Sequence, residues 1–110
     1  MNTYEIAMKT KEQIMEEAMV NALAVIAVQG KKEDDMSENE AKCTYNAAWL
    51  KDRTDRGMLH FSRKGASSKS TKVYSRFEIV SLKIAEKRMA EQFAIAQATA
   101  RELNNQIINN

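Results

Sequence analysis

From Met89 to Ile107 the apolar residues Met89, Phe93, Ala96, Ala100, Leu103 and Ile107 fall four, three, four, three and four positions apart, the seam of a coiled coil or helix bundle. None of the 110 residues is proline, so no position carries the ring that breaks a helix. The seam lies in a long helix predicted over about Arg76 to Ile108. Such a stripe must pack along a partner, in the first instance the N-terminal helix, and otherwise a second copy as a homodimer through the C-terminal helix. The closing Asn104, Asn105, Gln106, Asn109 and Asn110 are poor helix formers and are expected to fray.

A second helix is predicted over about Thr3 to Gln29, with Met8, Met15, Met19, Ala22 and Ile26 on its stripe and Ile14, Leu23 and Val25 widening it. Its second half is apolar nearly all round and is expected to be the most buried part of the fold. Gly30 is placed to end it, with Lys31 and Lys32 beyond the negative end of the dipole. Lys31 to Met36 reads as a charged connection. Ser37 and Glu40 have capping-box spacing, and a shorter helix is predicted over about 38 to 56, ended by Gly57, with no glycine to mark a turn before Asn46. Beyond Met58 the period changes to alternation, and Thr71 to Tyr74 has strand propensity. A β-hairpin with a basic tip is expected. The fold class is therefore mainly α: one domain, residues 1–110, of two long antiparallel helices, a shorter helix and a wing-like hairpin.

A chain of this length, 44% hydrophobic, has little room for an enclosed catalytic cavity. The run Gly65 to Thr71 has a superficial likeness to a phosphate-binding loop, but it lacks the second glycine before its lysine and leads into a strand rather than a helix. His60 is the only histidine and Cys43 the only cysteine, too few for a zinc site, and nothing local would activate Cys43 as a nucleophile. His60 is expected to face outward from a strand, and Cys43 to be half-buried. Glu12 and Glu16 read as a solvated helix face, and the seven methionines, at helical spacing, as core filling. No catalytic residue, metal or cofactor is assigned. The lone cysteine and the absence of a basic, apolar leader after Met1 point to a cytoplasmic setting, and the most apolar run, Ala18 to Val28, is too short to span a membrane.

The net charge of +2 conceals an uneven distribution. Residues 1–50 carry five lysines against nine acids, net −4, whereas residues 51–88 carry eleven basic residues against four acids, net +7. Lys51, Arg53 and Arg56 close a helix, Arg63, Lys64, Lys69 and Lys72 ride on the hairpin, and Arg76 opens the last helix. These eight form the candidate binding surface, with Trp49, Tyr74 and Phe61 expected to support it from beneath. Such a footprint suits a phosphate backbone, DNA more than RNA, or an acidic patch on a larger protein. An ordinary solvated surface fits the charge equally well.

The stretch Trp49-Leu50-Lys51-Asp52-Arg53-Thr54-Asp55-Arg56-Gly57-Met58-Leu59, followed by Arg63-Lys64-Gly65 and by Lys72-Val73-Tyr74-Ser75-Arg76-Phe77-Glu78-Ile79, resembles small winged-helix excisionases and their relatives among phage and transposon regulators. The resemblance covers residues 49–79 only. It implies that Lys51, Arg53 and Arg56 face DNA from a recognition helix, and that Arg63, Lys64, Lys69 and Lys72 reach an adjacent groove or backbone from a wing. The function expected is that of a non-enzymatic nucleic-acid-binding accessory protein of phage or mobile-element type. The alternative is a small inhibitor or adaptor that docks on a host enzyme.

Overall fold

A computed structural model describes residues 8–30, 33–67 and 69–108. Those residues form α1 (Lys11–Val28), β1 (Asp35–Ser37), α2 (Glu38–Thr44), α3 (Ala47–Asp55), β2 (Phe61–Arg63), β3 (Lys72–Ser75) and α4 (Arg76–Ile108). The fold is mainly helical, with a small antiparallel sheet in the order β1-β3-β2.

Thr10 starts α1 by accepting the Gln13 backbone N–H on its hydroxyl, while the Gln13 side chain accepts the Thr10 backbone N–H. The helix expected from Thr3 is absent over residues 8–10, because Thr10 takes an extended backbone and caps the helix there; residues 3–7, like Lys31 and Lys32, lie outside the described residues. Gly30 takes the expected left-handed conformation at φ 70°. Ile14, Ala18 and Ala22, each one turn from the next, form the buried stripe of α1. Ile14 and Ala18 pack with Ala85 of α4, flanked by Met15, Ile84 and Met89. Lys9 and Gln92 exchange two hydrogen bonds of 2.9 and 2.8 Å at one end of this contact, and Glu17 meets Arg88 at 3.4 Å. The second half of α1 is not the most buried part of the fold. Val20 is 68% and Val28 89% exposed, and Leu23 and Val25 are exposed too. The reason is geometric: α1 packs against α4 along a narrow stripe of mostly small side chains, and the larger cluster forms elsewhere.

That cluster comprises Met36, Ala41, Leu50, Leu59, Tyr74, Ile79 and Leu82, where the sheet, α2, α3 and the first turns of α4 converge. Of the seven methionines, Met36 is fully buried and Met15 and Met58 pack at the margin, but Met8 and Met19 are exposed, so core filling explains only some of them. β1 falls in what reads as a charged connection. Its alternation is only three residues long, with Met36 turned inward between exposed Asp35 and Ser37, too short to be seen as a period. It pairs with β3 at Met36↔Tyr74, and β2 pairs with the other edge of β3 at Phe61↔Tyr74.

The single helix expected over 38–56 is two helices. They part at Asn46, whose φ of 151° no helix admits. Its Oδ1 compensates by accepting the N–H groups of Ala48 and Trp49 at 2.8 and 3.1 Å, capping α3. Ser37 caps α2 by accepting the Glu40 N–H at 3.1 Å, but Glu40 does not return the bond as the capping box predicts; its carboxylate pairs with Arg76. Asn46→Ala is expected to destabilise the domain by about 1–2 kcal/mol in urea melts, because the cap is lost and the strained backbone is kept. Asn46→Gly is expected to cost less, since glycine relieves the strain.

Gly57, at φ 74°, ends α3, and the N–H groups of Met58 and Leu59 fold back onto the Arg53 carbonyl at 2.9 and 3.2 Å. The strand therefore begins at Phe61, later than the alternation suggests. Asp34 holds the start of α4, its carboxylate accepting the Phe77 N–H at 2.8 Å and the Ser75 hydroxyl at 2.7 Å. The helix runs through Asn104, Asn105 and Gln106 to Ile108 without the expected fraying; Asn109 and Asn110 lie outside the described residues. Among the described residues, its seam is covered by α1 only as far as Met89. Phe93 is 64% and Ile107 74% exposed, and the molecule measures 67 × 27 × 22 Å because this end of α4 projects.

Candidate functional site

The cations that the sequence groups together divide into two sets. On α3 each has a carboxylate partner. Lys51 Nζ lies 2.7 Å from Asp55, and Arg56 lies 3.3 Å from Asp52. Arg53 donates to Glu86 from Nε at 2.6 Å and from Nη2 at 3.2 Å, and also pairs with Asp52. The Trp49 indole N–H donates to the same Glu86 carboxylate at 2.9 Å, and Lys83 Nζ sits 4.1 Å from the Trp49 ring centroid. This Trp49-Arg53-Glu86-Lys83 cluster clamps α3 to α4. Trp49 thus supports Arg53 and Lys83 rather than the hairpin.

The hydrogen bond from Arg53 holds the Asp52 carboxyl below its ordinary value, and the bond to Asp55 raises that of the Lys51 ammonium. For Glu86, burial opposes ionisation, but the bonds from Arg53 and Trp49 outweigh it, so its carboxyl also titrates below the usual value. A carboxyl depressed by folding stabilises the native state above its unfolded value, about 4.3, and ceases to do so as pH falls through the lower folded value. Glu86→Gln is accordingly expected to lower the melting temperature at pH 7 by about 4–8 °C, the shift that about 1 kcal/mol gives in a small domain. The difference from the parent protein should shrink as the pH is lowered below about 4, as followed by circular dichroism.

The hairpin set is different. Arg63, Lys64 and Lys69 are exposed, and among the described residues none has a carboxylate partner. Arg63 Nη1 donates to the Ser70 carbonyl at 2.8 Å across the hairpin, and the Lys64 N–H donates to the Thr71 carbonyl at 3.1 Å. The Ser70 hydroxyl donates to the Ser67 carbonyl at 2.6 Å, and a Cβ on Gly65 would come within 2.8 Å of the Ser70 oxygen, so the tip closes tightly on itself. Ser68 is outside the described residues. Phe61, itself exposed, lies 5.4 Å from the Arg63 guanidinium carbon, 4.7 Å from Lys72 Nζ and 5.9 Å from the Tyr74 ring, so it touches two of the hairpin cations rather than underlying the whole set. Lys72 also meets Glu38 at 3.6 Å, which ties the hairpin to α2.

Arg76 does not join either set. It is 7% exposed, with its guanidinium on Glu40 at 3.1 Å and its backbone N–H on the Asp34 carbonyl at 2.7 Å. A strand-to-helix junction that ends β3 and begins α4 turns this side chain inward, so it braces the fold. Cys43 is exposed on α2 rather than half-buried. His60 precedes β2 instead of lying in it. Its backbone N–H donates to Glu78 at 2.6 Å and its ring faces the same carboxylate at 3.4 Å.

Lys83 and Glu86 escaped the sequence reading because the apolar seam dominates α4, and nothing local says that α3 packs on their face. Lys42 was also missed. With Glu38, Lys51, Asp55, Lys72 and Tyr74 it lines an open cleft of about 390 Å³ between α2, α3 and β3, whose charges are mixed in sign. Among the described residues no group of three or more histidine, cysteine or acidic side chains is placed to hold a metal, and no helix is long and apolar enough to cross a membrane. No family model, curated protein or solved structure matches the chain.

Proposed function

We propose that this protein is a non-enzymatic nucleic-acid-binding accessory protein of phage or mobile-element type, acting in the cytoplasm and contacting the phosphate backbone of DNA in preference to RNA. One observation carries the reading: Arg63, Lys64 and Lys69 are exposed and, among the described residues, without carboxylate partners, on a hairpin that directly follows the two helices α2 and α3. Helix, tight turn, helix and basic hairpin, flanked by two long antiparallel helices, is a wing-like arrangement in keeping with the excisionase resemblance. In this reading the hairpin supplies phosphate contacts, and the exposed Lys51 and Arg56 exchange their intrahelical carboxylates for phosphates on binding. Arg53, engaged by Glu86, positions α3, and Lys72 spans the two surfaces.

The mixed charge of the α2–α3–β3 cleft favours a second reading, a small inhibitor or adaptor whose hairpin meets an acidic patch on a larger host protein. Fluorescence anisotropy with a labelled random duplex over 20–200 mM salt separates the two. The nucleic-acid reading expects micromolar or tighter binding at low salt that weakens linearly in a log–log plot, with a slope of about −3 or steeper. Absence of binding at the lowest salt would leave the protein-docking reading in its place.

A further inference from the structure

We propose that the projecting end of α4 is a homodimerisation helix that pairs with the same segment of a second copy in antiparallel register, with its two-fold axis beside Ala98. This stands apart from the DNA reading, and its contacts use none of the residues of that reading.

The face in question continues an established one. Met89 is packed against the α1–α4 contact, and the same line of the helix runs on through Phe93, Ala96, Ala100, Leu103 and Ile107, while the contact with α1 closes at the Lys9–Gln92 bonds. Phe93, Leu103 and Ile107 are all exposed. With Phe93, Ala100 and Ile107 at heptad position a, and Met89, Ala96 and Leu103 at d, the flanking e and g positions are Ala90, Gln92, Gln97, Thr99, Asn104 and Gln106. All six are uncharged. Charged flanks ordinarily select an unlike partner, so neutral flanks remove the repulsion that would keep two copies apart.

The antiparallel register follows from side-chain size. When a faces d of the second helix, Phe93 meets the second copy's Leu103, Met89 meets its Ile107, and Ala96 meets its Ala100. Large side chains face large ones at both ends, and alanines face alanines at the middle, where the helices approach closest. Gln97 then faces the second copy's Gln97 across the axis. A parallel pair would instead set two domains side by side at one end, both carrying the net +7 of residues 51–88. The antiparallel pair holds them at opposite ends, and the end of one helix at Ile107 falls level with Met89 of the other, where the cover from α1 begins.

Light scattering and sedimentation on the full chain test this. Twice the 12.5 kDa chain mass is expected at about 50 μM protein, with Phe93→Glu and Leu103→Glu each weakening association at least tenfold while the circular dichroism and melting of the monomer are unchanged. A monomeric parent protein at that concentration would overturn the proposal, the chain's own first residues or another protein then being what covers the face. So would a dimer indifferent to both substitutions. The register is read in a Cys43→Ser background. Phe93→Cys mixed with Leu103→Cys should form the mixed disulfide, and Leu103→Cys alone should not link to itself; the reverse pattern would overturn the antiparallel register.

Discussion

Replacing Arg63, Lys64 and Lys69 together by alanine is expected to weaken binding to duplex DNA about 100-fold at low salt, since three charge-assisted phosphate contacts at about 1 kcal/mol each sum to about two powers of ten. The slope of log affinity against log salt should become shallower by about 2.7, because each cation withdrawn is one counterion release fewer. The fold should survive. All three side chains are exposed, and among the described residues the losses are the hydrogen bond from Arg63 to the Ser70 carbonyl and the contact of Arg63 with the Phe61 ring. The double variant Lys64→Ala with Lys69→Ala keeps that bond and is expected to lose about 30-fold, two contacts at about 1 kcal/mol each. Equal losses from Lys51→Ala with Arg56→Ala would shift weight to the helix, where each cation must first leave Asp55 or Asp52.

Ile79→Ala is expected to cost about 2–5 kcal/mol in a denaturant melt, a large share of the stability of a small domain. Ile79 is fully buried among Met36, Leu50, Leu59, Tyr74 and Leu82, where the surrounding elements cannot collapse into the space without moving the sheet off α4. Leu103→Ala, in the same helix, should change the stability of the dilute monomer by less than about 0.5 kcal/mol, because its side chain is exposed there. The contrast assigns the two ends of α4 different tasks, one holding the sheet and α3, the other left for association.

The long-range architecture was the least legible part of the sequence. The bounds of α4, the left-handed glycines at 30 and 57 and the pairing of β2 with β3 follow from local signals: a sustained period, a missing Cβ, an alternation. The break at Asn46 did not, since asparagine there takes a backbone conformation that usually announces itself as glycine, and the flanking residues are good helix formers. β1 is a strand only because Met36 finds Tyr74 some forty residues on. Burial misled in the second half of α1, where Val20, Leu23 and Val28 are apolar in sequence and exposed in the fold, because periodicity tells which faces could be covered and not how many neighbours arrive. For the candidate surface, charge counting groups eight cations that the structure divides. Lys51, Arg53, Arg56 and Arg76 are each answered by an acid, two of them across more than thirty residues, whereas among the described residues Arg63, Lys64 and Lys69 are not.

The hairpin from Arg63 to Lys72 is proposed as the place where this protein meets nucleic acid. Nuclear magnetic resonance of the uniformly ¹⁵N-labelled chain, titrated with a short random DNA duplex at low salt, tests it residue by residue. The expected result is that amide shifts concentrate at Arg63, Lys64, Lys69 and Lys72 with smaller changes at Lys51 and Arg56, and that Phe93 to Ile107 do not move. Shifts confined to residues outside 47–75, or none at all, would contradict it.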